Sequence, residues 1–105
     1  MGPGNTCITN FTGSIRGHDL ALSGCGTGIQ TGRTVDLTRL TWSGGSYGVI
    51  SKRVKLVDSS VTGGTALDIA SGRFPRLLGT TCDHSFRLAS AGTITAETWG
   101  VCGSD

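Results

Sequence analysis

Residues 42–50, WSGGSYGVI, decide how the rest of the sequence is interpreted. Within this stretch, residues 44–48 (GGSYG) match the pattern G-x-S-x-G, which marks the nucleophile elbow of serine hydrolases. That elbow is a turn from a strand into a helix, on top of a parallel sheet. Here the residues after Gly48 continue as a strand, and no ten-residue stretch of the chain sustains a helical period. We therefore interpret the stretch as a glycine-rich hairpin loop between two strands, with Trp42 and Val49 as apolar anchors.

The composition favours a single all-β domain. The chain has 105 residues, and its 18 glycines are scattered between short apolar runs rich in Val and Thr. Glycine is unfavourable inside helices and useful in tight turns, whereas Val and Thr suit pleated strands. Charged residues make up 15% of the chain, which is low against a usual share of about 25%. We expect one domain over residues 1–105, with residues 1–6 as a flexible lead.

Gly and alternating apolar residues divide the chain into segments of strand length. The predicted strands cover residues 8–15, 18–25, 33–42, 47–57, 66–70, 86–90 and 93–102. Val35 and Leu37 share one face, and Leu40 and Trp42 continue in the opposite phase. This change indicates a bulge or a short helical turn near residues 38–39. No internal repeat is obvious, so the strands predict a small disulfide-stapled β-sandwich, Ig-like or similar, with a small β-barrel as the alternative.

The four cysteines, Cys7, Cys25, Cys82 and Cys102, indicate two disulfides. We favour Cys7–Cys25 with Cys82–Cys102, because each bridge would staple a local pair of strands. Each would enclose about 20 residues and add roughly 3 kcal/mol of stability in the chain-entropy model. A terminal cross-link, Cys7–Cys102 with Cys25–Cys82, remains open. The C-x₂₋₄-C pairs of structural zinc sites do not occur, so we predict no metal and no other cofactor.

The predicted cellular location follows from the cysteines and from the absence of a targeting segment. No run approaches the ~18 apolar residues of a membrane helix, and no basic-then-apolar signal peptide begins the chain. The start, MGPGNT, is typical of an initiator Met with a short lead. We expect a secreted protein, extracellular or periplasmic, that is expressed without its leader; a cytosolic protein is the alternative.

Two clusters are candidate binding sites. Trp42 and Tyr47 flank the loop that contains Ser46, where an exposed aromatic ring could stack on a sugar or fill a partner's pocket. Arg53 and Lys55 belong to a basic run, SKRVK at residues 51–55, that could contact an acidic partner. The same run could instead be a solvated face that protects a sheet edge from aggregation.

Nucleic acid is not predicted as a partner, because the formal charge is only +2. His18 and His84 each neighbour an Asp, and together with Glu97 they could form an acid–base set like that of a small ribonuclease. Adjacent residues in a strand point to opposite faces, however, so two surface histidines near turns are the favoured interpretation.

Short runs resemble two families. Thr6-Cys7, Gly13-Ser14, Leu22, Cys25 and Val35-Asp36-Leu37 resemble half of a cyanovirin-type lectin repeat, a family whose two disulfide-bearing halves bind mannose-rich glycans. The second half departs from that pattern after Cys102. Residues 25–37, CGTGIQTGRTVDL, are also similar to fimbrial subunits, which are incomplete immunoglobulin-like sandwiches. Because one segment resembles two unrelated families, no functional residue is carried over from either.

The sequence therefore predicts a secreted, non-catalytic binding or adhesion domain. It would recognise a protein or glycan through loops and an exposed sheet face, with no membrane span. Two alternatives remain open: a small secreted hydrolase or toxin that uses His18 and His84 with nearby acids, and a structural or assembly subunit of a surface or virion-like polymer. The oligomeric state is not predicted.

Overall fold

The computed structural model describes residues 6–10, 13–23, 25–89 and 93–103, so the lead proposed for residues 1–6 lies outside it except for Thr6, where the first strand begins. Within these ranges the chain forms strands and no helix, which confirms the all-β prediction. The strands are β1 (Thr6–Asn10), β2 (Ile15–Ser23), β3 (Thr27–Thr31), β4 (Thr34–Ser43), β5 (Tyr47–Ser51), β6 (Arg53–Val57), β7 (Ser60–Val61), β8 (Leu67–Ser71), β9 (Arg76–Leu78), β10 (Thr81–Cys82) and β11 (Ser85–Arg87).

The strands wind as a parallel β-solenoid. Every pairing between these strands is parallel, and each strand pairs with strands one coil away along the chain. Leu20 lies opposite Leu40, and Tyr47 lies opposite Leu67, a step of 20 residues in both cases. Coil 1 contains β1 and β2, coil 2 contains β3 and β4, coil 3 contains β5 to β7, and coil 4 contains β8 to β10; β11 begins a further turn.

The predicted sandwich and its barrel alternative are therefore wrong. A sandwich of hairpins pairs consecutive strands in antiparallel fashion, whereas β5 here pairs with β3 and β8. Residues 44–46 turn a corner between two sheets of the solenoid, so the hairpin interpretation of that loop is also wrong. Glycine suits either kind of turn, and strand alternation does not depend on whether the neighbour runs parallel or antiparallel.

The coils form two sheets, one of which bends. The first sheet has the order β1-β3-β5-β8-β11. In the second sheet, the first half of β4 pairs with β6 and its last residues pair with β7, while β2 pairs along almost the whole of β4. We call the side formed by the first halves of β2 and β4 with β6 and β9 the front face. The rear face contains the second halves of β2 and β4 with β7 and β10.

A column of left-handed residues makes the bend between the front and rear faces. One occurs in each coil at the equivalent position: Asp19, Arg39, Asp58 and Gly79, with φ of 56°, 56°, 49° and 57°. Non-glycine residues seldom adopt this conformation, and one such residue redirects the strand. The phase change predicted near residues 38–39 is this bend: Leu37 and Leu40 both face inward, and Arg39 between them is exposed.

The core consists of columns of apolar side chains, one residue per coil. Ile29, Val49 and Ile69 stack beneath the first sheet, and all three are fully buried. Beneath the rear face, Leu22, Trp42, Val61 and Cys82 lie in register. The indole of Trp42 fills the space beside Gly28, where an added Cβ would come within 2.6 Å of the ring. Glycine at that position therefore lets the largest core side chain fit inside the coil.

Two disulfides, Cys7–Cys25 and Cys82–Cys102, cross-link the ends of the solenoid, with the pairing favoured from the sequence. Cys102 brings the C-terminal segment against β10, where Gly103 N–H donates to the Cys82 carbonyl at 2.9 Å. The strand predicted over residues 93–102 is not formed. Its one bridge is an antiparallel contact of Ile94 with Leu88, and the segment instead covers the last coil.

Candidate binding face

A short sequence repeat builds one corner of the solenoid. Residues 28–33 (GIQTGR), 48–53 (GVISKR) and 68–73 (DIASGR) share an apolar residue, a hydroxyl residue and an arginine at a spacing of 20. The apolar residue faces the core, and the hydroxyl residue is the last residue of β3, β5 and β8. The arginine then follows at the corner that leads to the front face. The absence of repeats inferred from the sequence is therefore wrong.

Buried hydroxyl groups fix the backbone of this corner. The Ser51 hydroxyl shares its single proton between two carbonyl oxygens, that of Arg33 at 2.9 Å from Oγ and that of Arg53 at 2.8 Å. The Ser71 hydroxyl lies in the same way between the carbonyls of Lys52 and Arg73. Because Ser51 and Ser71 are fully buried, these bonds hold the turn from inside and leave the arginine side chains exposed outside.

Seven cations lie on the front face and the corner before it. Strands alternate their side chains, so the even-numbered residues of β4 face outward there, as do the odd-numbered residues of β6. Six of the seven are exposed, and Lys55 is half-buried. We call this set the basic face: Arg16, Arg33, Lys52, Arg53, Lys55, Arg73 and Arg76.

The basic face carries most of the positive charge of the protein. It contains seven of the nine Lys and Arg residues, and Asp36, between Arg16 and Lys55 in register, is the acidic residue within it. Seven positive charges against one negative leave +6, whereas the whole chain carries +2. The ion pairs among the described residues involve His18, Arg39 and Arg87, none of which belongs to the face. These cations therefore act together on an approaching anion.

Two depressions interrupt the face. A cleft of about 270 Å³ lies at the corner between coils 2 and 3 and is lined by Ser14, Gly32, Arg33, Thr34, Lys52 and Arg53. A wider groove of about 700 Å³ lies at the coil 4 end, between Lys55, residues 74–80 and Val101. Phe74 beside this groove is 64% exposed and contacts Trp99 edge to face, with ring centroids 5.7 Å apart.

The five predicted binding residues lie in three different places. Arg53 and Lys55 belong to the basic face. Tyr47 and Ser46 are half-buried at the opposite corner, where the rear face meets the first sheet. Trp42 is 1% exposed in the core, so the expected exposed pair of Trp42 and Tyr47 does not form. The rear strand alternates with Trp42 inward, and an indole of that size stabilises more by burial than by exposure.

Ser46 lacks the surroundings of a nucleophile elbow. Among the described residues no helix follows it, and the next N–H, that of Tyr47, donates to the Gly26 carbonyl at 2.9 Å. In an elbow this N–H would stabilise an oxyanion. Residues 44–46 form a turn, whereas Tyr47 and Gly48 already belong to β5.

The two histidines lie far apart. His18 is on β2 in coil 1, where its Nδ1 lies 2.7 Å from an Asp19 carboxylate oxygen. His84 follows β10 in coil 4, so about three coil spacings of ~4.8 Å, or roughly 14 Å, separate them along the axis. Glu97 pairs with Arg87, at 3.5 Å between Glu97 Oε2 and Arg87 Nη1. The three groups do not form one acid–base set.

Asp68 is a buried functional group that the sequence did not single out. It is fully buried, and its carboxylate accepts three backbone N–H bonds: Oδ1 from Gly64 at 2.8 Å, and Oδ2 from Asp83 at 2.7 Å and His84 at 3.2 Å. It thereby fixes the turns that lead into coil 4 and out of it. No motif marks it beyond its place in the repeat, where Gly28 and Gly48 hold the equivalent positions.

The described part of the chain contains no group of three His, Cys, Asp or Glu side chains that could bind a metal ion together. The same residues form no helix that is long and apolar enough to cross a membrane. The two disulfides are compatible with an extracellular location.

No family model matches the chain, and no curated protein or solved structure matches it either.

Proposed function

We propose that this protein is an extracellular or periplasmic binding module, without catalytic activity, whose basic face engages an acidic partner. The observation that carries this proposal is the concentration of seven cations against Asp36 on one side of the solenoid. Exposed basic residues are common on proteins, but here neighbouring coils place them side by side, as Lys55 and Arg76 show. The fold therefore brings charges that are dispersed along the sequence together on one face.

A rigid sheet face suits binding better than chemistry. The strands hold the cations in fixed rows, and the buried Ser51 and Ser71 hydroxyls support the corner beneath them. An acidic partner would therefore meet a preorganised surface, which lowers the entropic cost of association. The two disulfides support the same assignment, since they stabilise a small domain outside the reducing cytosol.

The test compares two variants with equal net charge. Arg53→Gln/Lys55→Gln removes two charges from the basic face, and Thr41→Glu/Thr65→Glu lowers the net charge equally at two exposed positions outside it. Polyglutamate and heparin serve as acidic probes in surface plasmon resonance at low and at physiological ionic strength. We expect the first variant to lose binding and the second to retain it. Equal loss in both would mean that net charge alone drives association, which would contradict a defined binding face.

An assembly subunit is the second candidate, favoured by the free edge of β2. This nine-residue strand pairs with β4, and among the described residues nothing pairs with its other edge. A second copy could extend the sheet there, although such a stack would place Arg76 of one molecule next to Arg16 of the next. Sedimentation velocity over a range of protein concentrations tests this candidate. A concentration-dependent increase in mass that salt enhances would support assembly over partner binding.

A further inference from the structure

We infer that the acidic partner is a linear anionic polysaccharide that lies along the solenoid axis, with its charged groups contacting successive coils at the corner before the front face. This inference rests on the proposed function. It adds the chemical class of the partner and its direction on the surface.

The direction follows from the spacing of the cations. Arg33, Arg53 and Arg73 share one position of the sequence repeat and lie at the same corner in coils 2, 3 and 4. Arg73 is in register with Arg53, whereas Arg53 lies opposite Thr34, so Arg33 is offset by one residue. The three form a column along the axis with one step of a single residue. Backbone bonds fix the steps between coils: Arg53 N–H donates to the Arg33 carbonyl at 2.9 Å, and Arg73 N–H to the Lys52 carbonyl at 3.0 Å. Successive rungs lie about 4.8 Å apart. A flexible chain with an anionic group on each unit, or on every second unit, can follow such a column without distorting the protein.

The cleft between coils 2 and 3 adds a binding site for one oxyanion. Arg33, Lys52 and Arg53 supply the charge, and the hydroxyls of Ser14 and Thr34 can bond the oxyanion or a sugar hydroxyl. Its volume of about 270 Å³ is below the ~300–1,000 Å³ of pockets that enclose a small molecule. The cleft therefore fits one sulfate ester or carboxylate with part of its sugar ring, while the rest of the chain continues outside.

The side chains around the column favour a sugar chain over a nucleic acid. Proteins that bind single strands stack successive bases on several aromatic rings. Among the described residues near the column, the exposed aromatic side chain is that of Phe74. It lies at the coil 4 end of the column and packs edge to face against Trp99. A flat sheet face also offers no helix or β-ribbon that could enter the major groove of a duplex. Hydroxyls and guanidinium groups, by contrast, suit the mixed hydroxyl and anionic surface of a charged polysaccharide.

The test measures affinity against anions of different class. The probes are size-graded heparin oligosaccharides (sulfated), oligogalacturonates (carboxylated), a neutral dextran, oligothymidylate and polyglutamate, followed by fluorescence anisotropy at several salt concentrations. We expect one of the two charged sugars to bind best, and its affinity to rise with length until the chain spans coils 2 to 4, then to level off. The relative affinities of the heparin oligosaccharides and the oligogalacturonates show whether the cleft prefers a sulfate or a carboxylate.

Single variants test the column itself. Arg33→Gln, Arg53→Gln and Arg73→Gln should each weaken binding about fivefold at low salt and make the salt dependence shallower. Thr41→Glu lowers the net charge by the same amount on the rear face and should bind as the unmodified protein does.

Failure of the polysaccharide inference can be distinguished from failure of the proposed function. Tighter binding of oligothymidylate than of either sugar, with the same loss in the three Arg variants, would overturn the polysaccharide and leave the basic face in place. Binding of polyglutamate alone would do the same in favour of an acidic protein. If no anionic probe binds, the proposed function itself fails.

Discussion

Asp19 and Arg39 occupy equivalent positions in consecutive coils and join through an ion pair along the bend of the second sheet. Both have a φ of 56°, and Arg39 Nη2 donates to Asp19 Oδ2 at 2.8 Å, while Arg39 Nε donates to Oδ1. His18 Nδ1 also contacts Oδ2, at 2.7 Å. The hydrogen bonds from Arg39, and then that from His18, hold the pKa of Asp19 well below its usual value of 3.8. The same pair raises the pKa of Arg39.

The first prediction concerns the pH dependence that follows from this pair. Arg39→Gln should raise the pKa of Asp19 towards 3.8, because the principal donor to its carboxylate loses its charge. A lowered folded-state pKa stabilises the protein above the unfolded-state value, and this contribution is lost as the pH falls through the folded-state value. The difference in Tm between the protein and Arg39→Gln should therefore shrink below about pH 4.

Carboxyl carbon NMR titration of Asp19 checks the pKa, and thermal melts across acidic pH check the stability. Arg87→Gln is the matched control, since Arg87 pairs with Glu97 and lies outside this column. An unchanged Asp19 titration in Arg39→Gln would show that His18 or the backbone, rather than Arg39, sets its pKa.

The column of left-handed residues to which Asp19 and Arg39 belong also shows how much of the fold the sequence can predict. The phase change around Arg39 was visible because apolar residues flank it on both sides, at Leu37 and Leu40. Asp19 follows exposed residues of β2, so no inward alternation reveals the same bend there. The strand segments themselves were largely located, since half-buried strands alternate whatever their partner. Parallel pairing could not be read from alternation, because it depends on contacts one full coil away.

The signal for the solenoid was the repeat, and it is weak for a physical reason. Solenoid coils share only the residues that face the core or set a corner, and turns of different length shift the register. Val35 pairs with Val54 and Val61 with Cys82, steps of 19 and 21 residues instead of 20. For the same reason, Arg53 and Lys55 were found as a local basic run, whereas Arg33 and Arg73 join them only through the fold.

A second prediction separates the core from the surface at the rear corner. Trp42→Ala should lower the free energy of unfolding by about 3–5 kcal/mol, because it leaves a cavity beside Gly28 and Val61. Tyr47→Ala, half-buried at the corner, should cost less than half as much. Urea unfolding followed by far-UV circular dichroism measures both.

Trp42→Phe provides the control for this core position. Among the described residues the Trp42 indole N–H is buried without a hydrogen-bond partner. Phe removes that unpaired donor while retaining most of the apolar surface, so its effect should be much smaller than that of Ala. A stable Trp42→Ala protein with reduced ligand binding would instead place this side chain in a binding site.

A third prediction concerns Asp68, which joins two turns through one carboxylate. Asp68→Ala should cost about 3–5 kcal/mol, because the three N–H groups of Gly64, Asp83 and His84 lose a buried acceptor. Asp68→Asn should cost less, since its amide oxygen can still accept from Asp83 and His84, while its NH₂ group would face the N–H of Gly64. Chemical denaturation gives the order of stabilities, and hydrogen exchange shows whether the Gly64 and Asp83 amides lose protection. An exchange pattern that changes elsewhere and spares these two amides would contradict the assigned role.

The last prediction tests how the C-terminal segment is held. Cys82 and Cys102 are both buried, and their disulfide closes a separation of 20 residues that includes β11 and the segment beyond it. Cys82→Ala/Cys102→Ala should lower the free energy of unfolding by about 3 kcal/mol, the value expected for a cross-link of this length. Cys7→Ala/Cys25→Ala, with a separation of 18 residues, should lose a similar amount by the same entropic argument.

Only the Cys82→Ala/Cys102→Ala variant should also release the C-terminal segment, because Gly103 N–H then loses its fixed contact with the Cys82 carbonyl. Hydrogen exchange of the Gly103 and Arg87 amides in both variants distinguishes the two effects, since Arg87 N–H donates to the backbone carbonyl of Glu97 in that segment. Full protection of both amides in the Cys82→Ala/Cys102→Ala protein would mean that packing, rather than the disulfide, holds the segment on the last coil.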